Sequence, residues 1–293
     1  MSFTSVDDMV SEITSGKYTR IDWNKITGAA AYAAGRWYDM SALGGTPIAN
    51  AWAGTALTWK TCDETTGNGT QIFGLQNGGN VSTDTKHLLN ASVISAVATA
   101  VPSQLMLVDM QGYYPGINMN VATSQTLLGT PTLRYTNGAG VRASLVVVTT
   151  TGATAHNLSM TYTNTAGTGS RTLPVTVSCT ASAITPHITH SGTGANNYGP
   201  FLPLASGDLG IQSVQSVQLS AASLAGTAAL VLYKPLMTIP MTTVSVASER
   251  DFLNQIPSLP QVKDGACLTW LYFAGAATAA STNIYGSLDM AWG

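Results

Sequence analysis

The run Val141-Arg142-Ala143-Ser144-Leu145-Val146-Val147-Val148-Thr149-Thr150 decides the fold class. Most of it is β-branched, and such side chains lose rotamer freedom in a helix but pack well on a pleated strand. Its apolar middle is too short for a buried helix and suits a strand covered on both faces. Working outward, similar stretches recur at 157–163 (NLSMTYT), 172–180 (TLPVTVSCT), 211–219 (IQSVQSVQL) and 229–233 (ALVLY). Within 172–180, Leu173, Val175 and Val177 alternate with Pro174, Thr176 and Ser178, the pattern of a half-buried strand. Turn signals separate the strand runs and flank them: Asn77-Gly78-Gly79-Asn80, Asn137-Gly138, Gly167-Thr168-Gly169 and Ser206-Gly207-Asp208. No strand–helix–strand alternation and no fixed-period repeat stands out. The prediction is a mainly β chain, an antiparallel β-sandwich or jelly roll.

The first 50 residues read differently. Ser5 is a candidate N-cap, Asp7 and Asp8 sit where the helix dipole favours anions, and Val6, Met9, Val10 and Ile13 make one apolar face. Ser15-Gly16 ends this short helix. Beyond it strand alternation is poor, and residues 28–35 are Ala or Gly except for Tyr32. Residues 1–50 are therefore expected to be an extended arm, and 51–293 the sandwich, with a sub-domain boundary near 130. Leu89, Val93, Val97 and Val101 lie at helical spacing before Pro102, which predicts a helix over 86–101, although the β-branched residues there also suit a strand.

Composition narrows the function. Charged residues are 9% of the 293, against about 25% in typical soluble domains. A surface this neutral suits a protein that hides much of it in contacts. Lys and Arg total 12, Asp and Glu 14, and no basic run exists to neutralise phosphates, so nucleic acid is not an expected partner. The most apolar stretches, 91–101 and 225–233, fall short of the about 20 residues that span a bilayer. The acidic start lacks the basic and apolar regions of a secretion signal, so the expectation is a soluble chain made in a cytoplasm and without a membrane partner. Cys62, Cys179 and Cys267 form no CxxC pair and read as small buried hydrophobes.

Residues with chemistry are few. His187 and His190 point to opposite faces if they lie on a strand, and no Asp, Glu or Cys is near to complete a metal set. Asp7-Asp8 and Asp63-Glu64 are adjacent in sequence, not spaced to face each other across a bond. Glu249-Arg250-Asp251 reads as a surface cluster that opens a short helix. No nucleophile elbow, zinc-protease motif or phosphate loop is present, so neither an enzyme nor a cofactor is expected. Trp37, Tyr38, Trp52, Trp59, Tyr113, Tyr114, Trp270, Tyr272 and Trp292 could stack on sugars if exposed together. Their scatter favours core and interface roles instead.

Three stretches carry a resemblance. They are Gly35-Arg36-Trp37-Tyr38-Asp39-Met40 with Gly44-Gly45-Thr46-Pro47, Met160-Thr161-Tyr162-Thr163-Asn164 with Gly167-Thr168-Gly169-Ser170-Arg171-Thr172-Leu173-Pro174, and Gly207–Val217 with 229–236 downstream. Together they resemble tailed-bacteriophage virion proteins, in particular capsid decoration or cement proteins. The resemblance implies a β-rich homotrimer on the capsid surface, assembled in the host cytoplasm, that clamps neighbouring copies of the major capsid protein. Phe3, Trp23, Trp37 and Tyr38 are then the expected arm anchors, and deleting residues 1–35 should leave a folded sandwich that no longer binds capsids. A tail-tube, adaptor or other minor virion protein is the first alternative, and a glycan- or receptor-binding module the second.

Overall fold

The computed structural model describes residues 3–81, 83–254 and 259–293. One helix, α1 (Val6–Thr14), precedes β1 (Tyr18–Ile26), β2 (Arg36–Asp39), β3 (Gly45–Thr46), β4 (Lys60–Thr61) and β5 (Lys86–Ile94). The middle of the chain gives β6 (Ser103–Asn118), β7 (Gln125–Thr126), β8 (Arg142–Thr149), β9 (His156–Asn164), β10 (Arg171–Thr172), β11 (Val177–Cys179) and β12 (Ile211–Leu219). Then follow β13 (Thr227–Met241), β14 (Ser248–Asp251), β15 (Gln261–Val262), β16 (Leu268–Ala274) and β17 (Asn283–Trp292).

The strands form three antiparallel sheets. The first runs β14-β5-β17-β1-β3 with β15 beside β5, and the third runs β10-β9-β12-β7 with β11 beside β9. Between them the central sheet runs β2-β16-β6-β13-β8, with β4 beside β6. Leu105, Leu107, Ile239, Leu268 and Trp270 of the central sheet share a core with Trp23, Leu88, Val93 and Leu288 of the first. Tyr114, Ile117, Leu145, Leu230 and Leu232 share another with Leu158, Met160, Tyr162 and Val217 of the third. A further cluster, with Trp37, Trp52, Phe73, Val108, Val231 and Leu271, lines the central sheet's other side under loop segments. The fold is thus two sandwiches built on one sheet. No cut near residue 130 separates them, because β6 and β13 supply both cores.

The segment 18–50 is not an arm. β1 lies between β17 and β3, and it alternates outward Tyr18, Arg20 and Asp22 with buried Ile21, Trp23 and Lys25. The alternation is disguised in the sequence because one inward position is a lysine. Its ammonium donates to the carbonyls of Leu43 (3.1 Å) and Pro47 (2.7 Å), which pins the following loop to the sheet. Burial draws this amine down to about 8. Lys86 does the same to the Asn77 and Gly79 carbonyls, each at 2.6 Å.

The expected helix at 86–101 is also overturned. β5 occupies Lys86–Ile94 between β17 and β14, with Leu88, Ala91 and Val93 in the core, and only Ala98–Ala100 makes a 3₁₀ turn. The β-branched residues and two strand partners outweigh a coincidental four-residue spacing. Likewise the single strand expected at 172–180 is broken into β10 and β11, and Val175 between them is exposed. Glu249-Arg250-Asp251 lies in strand β14, not a helix, because it pairs with β5.

Candidate assembly surfaces

α1 begins as its residues dictate: the Ser5 hydroxyl accepts from the Asp8 amide at 3.0 Å, and Asp7 and Asp8 fill the first turn. Its apolar face is narrower than expected. Met9 packs with Leu89 and Ala291 and Ile13 lies against them, while Val6 and Val10 face solvent.

The four expected anchors lie in different places. Trp23 is 3% exposed, Trp37 8% and Tyr38 1%, all three inside the chain's own cores. Trp23 sits 5.1 Å from the Trp270 ring, and Tyr38 stacks on Tyr32 at 3.9 Å. Strand pairing of β1 and β2 carries these side chains inward, so none of the three is available to a neighbour. Phe3 alone is half-buried, its ring 5.7 Å from the His87 imidazole. Nor do the aromatics form a platform for sugars: Trp52, Tyr113, Tyr114, Trp270 and Tyr272 are buried with them.

His187 and His190 lie buried on a segment whose backbone pairs with both edge strands of the central sheet, at Tyr38 of β2 and Val146 of β8. The His187 carbonyl accepts from the Val147 amide, and the Thr189 amide donates to Leu145. His187 Nε2 donates to the Ser191 carbonyl at 3.1 Å, while neither His190 nitrogen meets a hydrogen-bond partner among the described residues. Burial, with Arg36 adding to it at His187, pushes both imidazoles down to about 3. No cluster able to hold a metal exists among the described residues.

Charge is divided unevenly over the surface. α1, the loop after it, β1 and β14 carry Asp7, Asp8, Glu12, Asp22, Glu249 and Asp251 against Lys17, Arg20 and Arg250. Across residues 143–233 the only Asp, Glu, Lys or Arg side chains are Arg171 and Asp208, and they are spent on each other at 3.0 Å. Arg171, Tyr162 and Asn164 all donate to the Asp208 carboxylate and hold it down to about 2. The third sheet therefore presents a face without free charge.

That face is legible strand by strand. On β9, Ser159, Thr161 and Thr163 face outward between inward Leu158, Met160 and Tyr162. Opposite them on β12 stand Gln218, Ser216 and Ser213. Thr161 and Ser216 share a 2.7 Å hydrogen bond, and Gln215 donates to Thr163 (2.9 Å) and Ser213 (3.0 Å). Beside this ladder, residues 173–176 swing off the sheet and wall a recess of about 680 Å³. Sequence reasoning missed this face. The deficit of charge was visible, but its collection onto one sheet depends on the β9–β12 pairing.

No family model matches the chain, and no curated protein matches it. Among solved structures it is similar to the VP2 subviral particle of infectious bursal disease virus, at 10% identity over 94% of this chain and 80% of that one, with a TM-score of 0.20. A structure of the Gx strain of the same virus gives 8% identity over 94% and 81%, with a TM-score of 0.20. Superpositions that loose fix neither topology nor function.

Proposed function

We propose that the chain is a structural virion subunit of the decoration or cement type, seated on the outside of a tailed-phage capsid and clamping neighbouring capsid subunits. The observation that carries this reading is the charge-free third sheet. A protein that works free in solution keeps charge distributed over its surface, whereas cores of protein interfaces are depleted in Lys, Glu and Asp. Apolar area buried at roughly 25 cal/mol per Å² over many repeated contacts sums to a large effect on a shell, even where each contact is weak. The sequence resemblance described above adds the class of particle. With Trp23, Trp37 and Tyr38 buried, the clamp works through folded sheet faces and α1, not through an unfolded arm.

Electron cryomicroscopy of particles from the source phage, with the chain traced into the map, tests the reading. Density on the exterior of the head, bridging capsid subunits, is the expected result. Density in the tail, or none on the particle, overturns it.

A further inference from the structure

The outer face of the third sheet is prepared for a particular kind of contact. Its serine and threonine side chains are short, and the ladder bonds at Thr161–Ser216 and Gln215–Thr163 already hold these and Gln215 in place. Gln218 is fixed as well, donating to the Ala122 carbonyl at 3.1 Å. Docking on this face orders few rotamers and strips water from no unpaired charge, two of the main costs of association.

The same feature selects the occupant. A partner with an ordinary charged surface would bury its Lys or Asp side chains here without counter-charge, which is costly. A neutral face matches another neutral face. The chain itself supplies one, together with adjoining features of opposite shape: the exposed Pro174–Val175 ridge and the recess lined by Asn157, Ser159, Gln218 and Ser220. We propose that a second copy of this chain docks on the outer face of the third sheet, the Pro174–Val175 ridge of each copy entering the recess of its neighbour. The inference rests on the assembly reading and assigns this face to a neighbouring copy of the chain, not to the capsid subunits.

Sedimentation velocity and light scattering on the full chain test it. The wild type is expected to be an oligomer at micromolar concentration. Ser159→Arg, which drives a charge into the recess, and Val175→Asp, which charges the ridge, are each expected to give monomers with wild-type circular dichroism and melting. Val10→Asp, on the exposed side of α1, should leave the oligomer intact. A monomeric wild type overturns the proposal, as does an oligomer that survives both Ser159→Arg and Val175→Asp. Imaging of particles separates this outcome from the virion reading. A monomer found on the capsid exterior removes self-docking alone, and an oligomer absent from particles removes the virion reading alone.

Discussion

The Arg134 guanidinium grips both carboxylate oxygens of Asp109 where one face of the central sheet passes from the first core to the second. Nε donates to Oδ2 at 3.0 Å, and further N–H groups reach the carbonyls of Cys62 and Met110, both at 2.6 Å. Asp109 also accepts from the Cys267 amide at 3.1 Å and is fully buried. Such a pair is costly to bury and costlier to break, because removing one partner strands the other charge.

Arg134→Met is therefore expected to lower stability by about 3–5 kcal/mol. Asp109→Asn in the same background should restore part of the loss by removing the stranded carboxylate. Urea unfolding of the two single variants and the double variant reads this directly, and additive losses would contradict the coupling.

Acid should weaken the fold through His187 and His190. Both are held down to about 3, while the unfolded chain takes up protons near the ordinary histidine value. Between those limits the unfolded state binds more protons, so stability falls as pH drops below about 6.5. The expected slope is about 1.4 kcal/mol per pH unit for each histidine while both stay neutral in the fold. Denaturant midpoints between pH 7 and pH 4.5 measure it, and His190→Phe should flatten the slope by one histidine's share, since burial also holds His87 and His156 down and they add to the remainder with His187.

Two truncations distinguish a folded N-terminal strand from a removable arm. Deleting residues 1–16 takes away α1, whose anchorage is the small cluster around Met9, and should leave the three sheets folded with a lowered melting temperature. Deleting residues 1–35 also removes β1 and with it Trp23, and should abolish cooperative unfolding. Loss of a buried Trp side chain alone costs about 3–5 kcal/mol. A sharp thermal transition in the longer deletion would refute the placement of β1.

Gly112 sits at φ +155° where β6 meets β4, and an added Cβ would strike the Lys60 carbonyl and the Trp59 ring. Gly112→Ala should destabilise by at least about 1–3 kcal/mol, the usual range for forced overpacking. Thermal melts check this, with Gly167→Ala as the comparison, since a Cβ there meets nothing within 4 Å although its φ of +78° carries backbone strain.

How much of this was legible in the residues depended on which ones faced inward. The run at 141–150 became β8, and NLSMTYT and IQSVQSVQL became the paired β9 and β12, because each found strand partners along its length, whereas the alternating run at 172–180 did not and broke. Ser5 and the acids of α1 also acted locally and were readable. β1 was hidden by an inward lysine whose carbonyl partners lie in a loop that no local pattern announces. β6 was hidden by Asp109 and Gln111, whose partner Arg134 is remote in sequence, and by the interruptions at Gly112, Pro115 and Gly116. The neutral face of the third sheet could be counted as missing charge but not located, since its two strands are about fifty residues apart in the chain.

β6 and β13 run side by side for 16 and 15 residues, roughly 50 Å of antiparallel pairing, shifted in register at three bulges, that runs through both sandwiches. A pull applied between the far end of one sandwich and the far end of the other lies along these strands and loads their hydrogen bonds in parallel, not one after another. The pair then behaves as a tie-rod: each strand crosses both sandwiches as one covalent backbone, so neither sandwich can be drawn away from the other without pulling both strands out of a core. Strain delivered at one end is passed to the other end with little stretch in between.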